Sequence, residues 1–409
     1  MSDHVFLTAK KKRSQTTLFS LFAAAALCAC PKPAGIRYPN LPQTTDGALH
    51  IINFDVGQSD AMLVIYRGKS MLIDCGSPLT DPSRAARAIP RRLDALLGSR
   101  HIDYFVATHY HKDHIGGLRT RNGKASGIFS LIEDHGITVG TLIDRGLWTV
   151  DGRKGDTQKA YEKTVPDWLA SGKVTDRRSV TAGDSIDLGD GLSVTVIAAA
   201  GNGYLDRMAS RYPDFVKKYP PSENDYSVVL KLTMGKFEFL AGGDLTGANS
   251  MRRFGRKGTT YNDIETVIAD HVGAVDVYRV HHHGSAHSSN PCFVQVLHPT
   301  VSIFSTGENT YGHPNPDVFA RLKAIGAVYI SGGAAEPVRS EAGDALVGDD
   351  IEILVAPDGG RYWVNDEEYV SLADEEEAAR PGARSSCINR ETELPKPEDF
   401  TNAADNHDD

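Results

Sequence analysis

The stretch THYHKDHIGG, residues 108–117, governs how the rest of the chain is read. It places three imidazoles and a carboxylate, His109, His111, Asp113 and His114, within six residues, directly after the apolar run 104–108. At the end of a strand, such a turn can aim His109 and His111 at one cation and Asp113 and His114 at another. Imidazole nitrogen combined with carboxylate oxygen suits zinc, with manganese or iron as the other cations for that donor set. Gly116 and Gly117 permit close backbone approach and a tight helix entry.

Three further motifs follow apolar runs. RVHHHGSAHSS, residues 279–289, contains His281, His282 and His283. In an extended segment successive side chains alternate, so one or two of these at most can face a common site. FLAGGDLT, residues 239–246, sets Asp244 after two glycines at a strand end. Two adjacent cations need an anionic bridge against their mutual repulsion, and Asp244 is placed to supply it. TYGHPNP, residues 310–316, offers His313 as a site residue or as a loop histidine.

Working outward, strand-length runs rich in Val, Ile, Leu and Phe occur at 49–55, 61–66, 71–74, 104–108, 193–198, 227–233, 237–241, 275–280, 301–305 and 351–355. Gly, Asp, Asn or Pro bound them. Helical patterns lie at 82–97, 158–170, 262–270 and 316–325. Early hairpin strands followed by strand–helix alternation predict an α/β (α+β) body of sheets covered by helices. The pattern weakens across 145–222, which reads as an insertion, either a lid or substrate wall or a solvated excursion.

The 409 residues are 40% apolar and 24% charged, ordinary globular usage that excludes a collagen, a wholly disordered chain and a polytopic membrane protein. The net charge of −9 is unevenly spread. Residues 366–409 hold 14 acidic and 4 basic side chains, leaving 39 acidic and 40 basic in the remainder. A near-neutral body lacks the basic footprint of a protein that grips nucleic acid mainly by charge, although a local strip such as 207–218 can supply one. Residues 367–409 read as an acidic, disordered tail.

Residues 10–13 are KKKR, and an apolar run of 12 from 18 to 29 follows. A basic start and a short apolar core are expected of a secretory signal peptide, too short to span a bilayer. Leu27-Cys28-Ala29-Cys30 resembles a bacterial lipobox, in which Cys30 is lipidated. Residues 1–30 are then a leader, 31–46 a linker and 47–366 the folded domain. The expected location is outside the cytoplasm, with the domain held to a membrane in the periplasm or at the cell exterior. Cys75, Cys292 and Cys387 are an odd remainder that forces no disulfide framework, and Cys75 and Cys292 read as small buried residues.

The order DVGQSD (55–60), LIDCG (72–76), THYHKDHIGG, NDYSVVLKL (224–232), GGDLT, HHGS and YGHP resembles the metallo-β-lactamase fold. Within it the sequence is similar to the soluble hydrolase domain of ComEC-type DNA-uptake competence proteins, over about residues 49–364. GGDL followed by a triple His is also similar to phosphorylcholine esterases of this fold. The resemblance implies an αββα metallo-β-lactamase sandwich with cations where strand-end loops meet. It implies His109, His111, Asp113, His114, Asp244 and His282 as ligands, with His282 preferred over His283. Asp74 would orient the metal loop, and Gln58, Asp60, Asn224 and His283 would line or support the site. No His occurs between His135 and His271, where many relatives supply a further ligand; Glu223, Asn224 or Asp225 occupies that region. His111 stands where oxygen-reducing di-iron members of the fold carry Glu, which favours hydrolysis.

The expected activity is therefore a metal-dependent phosphodiesterase or phosphoesterase using hydroxide formed on two zinc or manganese ions. Asp113 or Asp244 would orient it, and His313 would assist the leaving group. The expected substrate is a phosphodiester, in nucleic acid or a cell-envelope polymer; no protein partner is readable. The alternative is a lipid-anchored binding module that keeps the fold without catalysis.

Overall fold

The computed structural model describes residues 47–78, 81–118, 123–254, 257–380 and 394–402. The expected leader, the lipidation site Cys30 and the linker lie outside the described residues, as do Cys28 and Cys387.

The strands alternate their side chains with period two, and both faces are apolar. Ile51, Met62, Val64, Met71, Ile73 and Val106 turn inward, where they meet Leu230, Leu232, Phe239, Val277 and Ile303 of a second sheet. Their neighbours Ile52, Leu63, Leu72 and Phe105 turn outward, under Ala85, Ile89 and Leu93 of the helix Arg84–Leu97. Leu240 likewise turns outward beneath Ile264 and Ile268 of the helix Ile264–Val272. Sheets doubly coated in this way stack as helix, sheet, sheet, helix, the αββα sandwich expected from the sequence.

The first sheet runs, in spatial order, Glu367–Val370, Arg361–Val364, Ile351–Val355, Leu49–Asn53, Ala61–Tyr66, Lys69–Cys75, His101–Val106, Thr138–Asp144 and Val174–Ser179. The second runs Ala327–Ile330, Val301–Phe304, Val277–Arg279, Phe237–Ala241, Val229–Met234 and Ser193–Ala198. Parallel pairing joins Lys69–Cys75 to His101–Val106, Phe237–Ala241 to Val277–Arg279, and Val277–Arg279 in turn to Val301–Phe304. Parallel strands open their C-terminal ends on the same edge. The loops carrying His109–His114, Asp244, His281–His283 and His313 follow those ends and therefore gather there.

Of the two readings of residues 145–222, the solvated excursion does not describe them: Val174–Ser179 and Ser193–Ala198 close an edge of each sheet, and the helix Asp156–Ala170 precedes both. Nor is the chain beyond 366 wholly an unstructured tail. Glu367–Val370 pairs with Arg361–Val364, Ala373–Ala379 is a helix, and Thr401–Asn402 pairs with Ser250–Phe254. Backbone pairing satisfies these acidic stretches although their composition offers little apolar surface. No helix among the described residues is long and apolar enough to cross a membrane.

Candidate metal centre

Asp74, the acid of LIDCG, organises the metal loop. It adopts a left-handed φ of 57° and accepts hydrogen bonds from the Thr108 amide at 2.9 Å and the Thr108 hydroxyl at 2.7 Å. Its Oδ2 also takes the His114 Nδ1 at 2.8 Å. That bond fixes the ring, so His114 Nε2 turns to Asp244, 3.0 Å from Oδ1. Close approach of the loops demands glycine at two points. A Cβ at Gly76 would overlap the Asp113 carbonyl, and one at Gly243, whose φ is +52°, would come within 2.5 Å of Thr108 Oγ1.

Among the described residues, three sets of donor atoms lie close enough to hold a cation: Asp113, His114, Asp244 and His283; His109, His111 and Asp244; and Asp60, Asp74 and His114. The third is already committed elsewhere, because Asp60 pairs with Arg279 at 2.5 Å and Asp74 is held by Thr108. The first two share Asp244, which the sequence marked as the bridge. His109 Nε2 is buried without a hydrogen-bond partner, and His114 Nε2 and Asp244 Oδ1, buried and 3.0 Å apart, have none besides each other. Buried polar atoms are rarely left so; converging nitrogen and carboxylate donors in that state fit divalent cations.

The charges of His109 and Asp244 agree with the geometry. Burial, helped by His114 and His111, holds His109 well below the usual imidazole range, so it is neutral and able to donate a lone pair. Burial would raise Asp244, but His114, His283 and His282 outweigh it and keep the carboxylate ionised.

The triple histidine departs from the expected order. Residues 281–284 form a tight turn in which His282 and His283 both take left-handed dihedrals, φ 50° and 53°. His283, expected only to line the site, completes the four-donor set. Its Nδ1 donates to the Ser305 carbonyl at 2.7 Å, leaving Nε2 at 3.3 Å from Asp113 and 3.7 Å from Asp244. His282, expected as the ligand, lies 3.8 Å from the opposite oxygen of Asp244 and contacts Asn224 at 3.1 Å. His281 turns away, bonded to Glu265 at 2.9 Å and stacked on Phe293. The alternation rule failed because the segment is a turn rather than a strand.

Gln58 has a role the sequence did not show. Its Nε2 meets His313 Nδ1 at 3.1 Å while its Oε1 accepts the Gly307 amide at 3.3 Å. His313 thereby stands beside the centre, its ring 5.5 Å from that of His282. Asp60 stays outside the ligand set, 3.6 Å from His114 and 3.5 Å from His283.

The region lacking a histidine resolves into three fates. Asp225 is caged by Thr246, Ser222 and Asn262; burial raises its carboxyl to about 7 despite those bonds. Asn224 faces His282. Glu223 accepts the Tyr110 amide at 3.0 Å and two bonds from Arg145, at 2.9 and 2.6 Å. Arg145 is itself clamped between the rings of Tyr110 and Tyr226, each 4.6 Å away. This partly buried pair pins the HYHKDH turn, and sequence reasoning missed it because its members are 78 residues apart.

A cavity of about 650 Å³ opens over the donors. Gly155, Asp156, Thr157 and Gln158 at the start of the helix Asp156–Ala170 form one wall, so the 145–222 region does contribute a wall. The basic stretch 207–218 does not line it. Cys75 is free and buried. Cys292 is disulfide-bonded, contrary to its reading as a plain buried residue.

Residues 54–120 match the sequence profile of the Metallo-beta-lactamase superfamily. The chain is 26% identical over 333 residues to ComE operon protein 3 of Bacillus subtilis (strain 168), covering 78% of this chain and 35% of that protein. It thus spans about a third of that relative's length. Solved structures similar to it include the metallo-beta-lactamase fold protein YhfI from Bacillus subtilis, 11% identical over 69% of this chain and 96% of that one, with a TM-score of 0.39. Another is CmlA, a diiron β-hydroxylase from Streptomyces venezuelae, 13% identical over 72% of this chain and 53% of that one, with a TM-score of 0.40. The residues that match the Metallo-beta-lactamase superfamily include the turn that carries His109, His111, Asp113 and His114.

Proposed function

We propose that this protein is a metal-dependent phosphodiesterase or phosphoesterase with two divalent cations, zinc or manganese, at the centre built around Asp244. The observation that carries the reading is the convergence of His109, His111, Asp113, His114, Asp244 and His283 beneath one cavity, with His109 Nε2 buried and without a hydrogen-bond partner. Bound divalent cations supply Lewis acidity for phosphoryl oxygens and activate water near neutral pH. The chain's own part is to hold and orient. Asp74 and the Ser305 carbonyl fix the His114 and His283 rings. Asp113 and Asp244 bring negative charge and accept protons by hydrogen bonding, and Gln58 presents His313 toward a leaving group. The helix start at 155–158 walls one side of the cavity.

The substrate we propose is a phosphodiester of nucleic acid or of a cell-envelope polymer. Export and attachment through lipidated Cys30 belong to the same reading; the disulfide at Cys292 supports an oxidising compartment. The test is hydrolysis of bis(p-nitrophenyl) phosphate after chelation and after zinc or manganese is restored. Turnover recovered by one metal is the expected result. Folded, metal-loaded protein without turnover would instead favour the binding-module alternative.

A further inference from the structure

Charge on the wall of the cavity is unevenly answered. Five carboxylates line it, and each meets a cationic or imidazole partner. Glu223 meets Arg145 at 2.6 Å, Glu308 meets Arg339 at 3.0 Å and Asp156 meets Lys159 at 3.6 Å. Asp113 and Asp244 face His283 and His114, at 3.3 and 3.0 Å. Lys112 is the only lysine or arginine among the described lining residues. Among the described residues its ammonium has no ion pair or hydrogen bond.

The turn sets that ammonium beside both donor sets without committing it to either. Lys112 opens the short helix Lys112–Ile115, between His111 of the three-donor set and Asp113 of the four-donor set. Successive helical side chains diverge by about 100°. Asp113 turns to His283, and Lys112 therefore points elsewhere, exposed at the cavity wall.

We propose that Lys112 is a substrate-binding residue whose ammonium holds a phosphoryl oxygen of the substrate in this cavity. The inference rests on the phosphoesterase reading above. A lysine ammonium binds phosphate as a compact point charge with three donors. Walls lined by carboxylates repel an incoming anion, and with those carboxylates already paired, Lys112 is the uncommitted charge that opposes the repulsion. Because it stands outside the donor sets, it holds ground state and transition state alike. Its loss then raises KM and leaves kcat nearly unchanged.

The test uses the full chain loaded with zinc or manganese, with bis(p-nitrophenyl) phosphate and inorganic phosphate as probes. Lys112→Ala should raise KM about tenfold, the size expected for a hydrogen bond to a charged group, with kcat held within about twofold. Lys112→Arg should recover most of the affinity, and Lys112→Glu should bind more weakly than the alanine variant. Calorimetry should show inorganic phosphate binding weakened by the same factor in Lys112→Ala, and added potassium chloride should weaken it more in wild type than in that variant. Ion uptake by equilibrium dialysis should match wild type. Unchanged KM and phosphate affinity in Lys112→Ala would overturn the proposal. So would a loss that comes with loss of bound ions, which would make Lys112 a prop of the turn. Wild type that binds phosphate through Lys112 but turns over no ester would overturn the phosphoesterase reading alone.

Discussion

Two buried clusters of charged and imidazole side chains lie in this fold, and they behave oppositely. On the outer face of the first sheet, Glu352 accepts from His50 at 3.1 Å and from Arg92, whose guanidinium also lies 3.7 Å from Asp350. At the strand-end edge, His109, His114 and Asp244 are equally buried. Composition does not separate the clusters, since each mixes imidazole with carboxylate, and each holds buried atoms without a hydrogen-bond partner, Arg92 Nε in the first and His109 Nε2 in the second. Convergence does. In the first a guanidinium supplies the positive charge and supports the fold; in the second two sets of donors meet at Asp244 beside a cavity, the arrangement a cation site requires.

Substitutions should separate stability from activity along this line. Asp244→Ala should lower kcat/KM on bis(p-nitrophenyl) phosphate by at least about a thousandfold, because metal-stabilised charge contributes several kcal/mol to the barrier. Its urea midpoint in chelator should stay near that of wild type. Equal turnover in the variant would remove Asp244 from the centre. Glu352→Ala should do the reverse, costing about 3–5 kcal/mol by stranding Arg92 in a buried place. Urea denaturation should record that loss while turnover per folded molecule is kept.

Glu223→Ala tests whether the closed Arg145 pair serves the open site. It frees the Tyr110 amide and leaves Arg145 unpaired, so metal affinity should fall about 10- to 100-fold, as for residues that orient ligands. Glu223→Gln keeps an acceptor for Tyr110 and should recover part of it. Unchanged dialysis affinity in Glu223→Ala would make the pair purely structural.

The smallest expected effect is on pH dependence. Burial raises the Glu352 carboxyl, but the His50 bond and Arg92 outweigh it, leaving it below the usual 4.5. A depressed folded-state value adds stability above about pH 4.5 that is lost as pH falls through the lower folded value. Glu352→Gln should flatten that part of the stability curve in acid-side urea titrations. An unchanged slope would assign the acid sensitivity to other carboxylates.

Much of this was legible in the chain itself. Every apolar run assigned to a strand forms one, because period-two patterning with two apolar faces has few other stable outcomes. HYHKDH and GGDL delivered five donors to one place because each motif is local and each follows a strand end. The acidic segment after 366 misled, since its composition hides backbone pairing with strands far away in sequence.

Sequence alone determined the layered fold, the HYHKDH turn and the need for an acid at Asp244; spacing and strand periodicity act within a few residues. Tertiary structure decided the rest. It chose His283 for the four-donor set and turned His282 toward Asn224 through two left-handed residues, which alternation along a strand does not anticipate. It joined Arg145 to Glu223 and Gln58 to His313 across long stretches of chain. Those pairings exist because parallel strands bring their ends to one edge, and burial there penalises any polar atom without a partner.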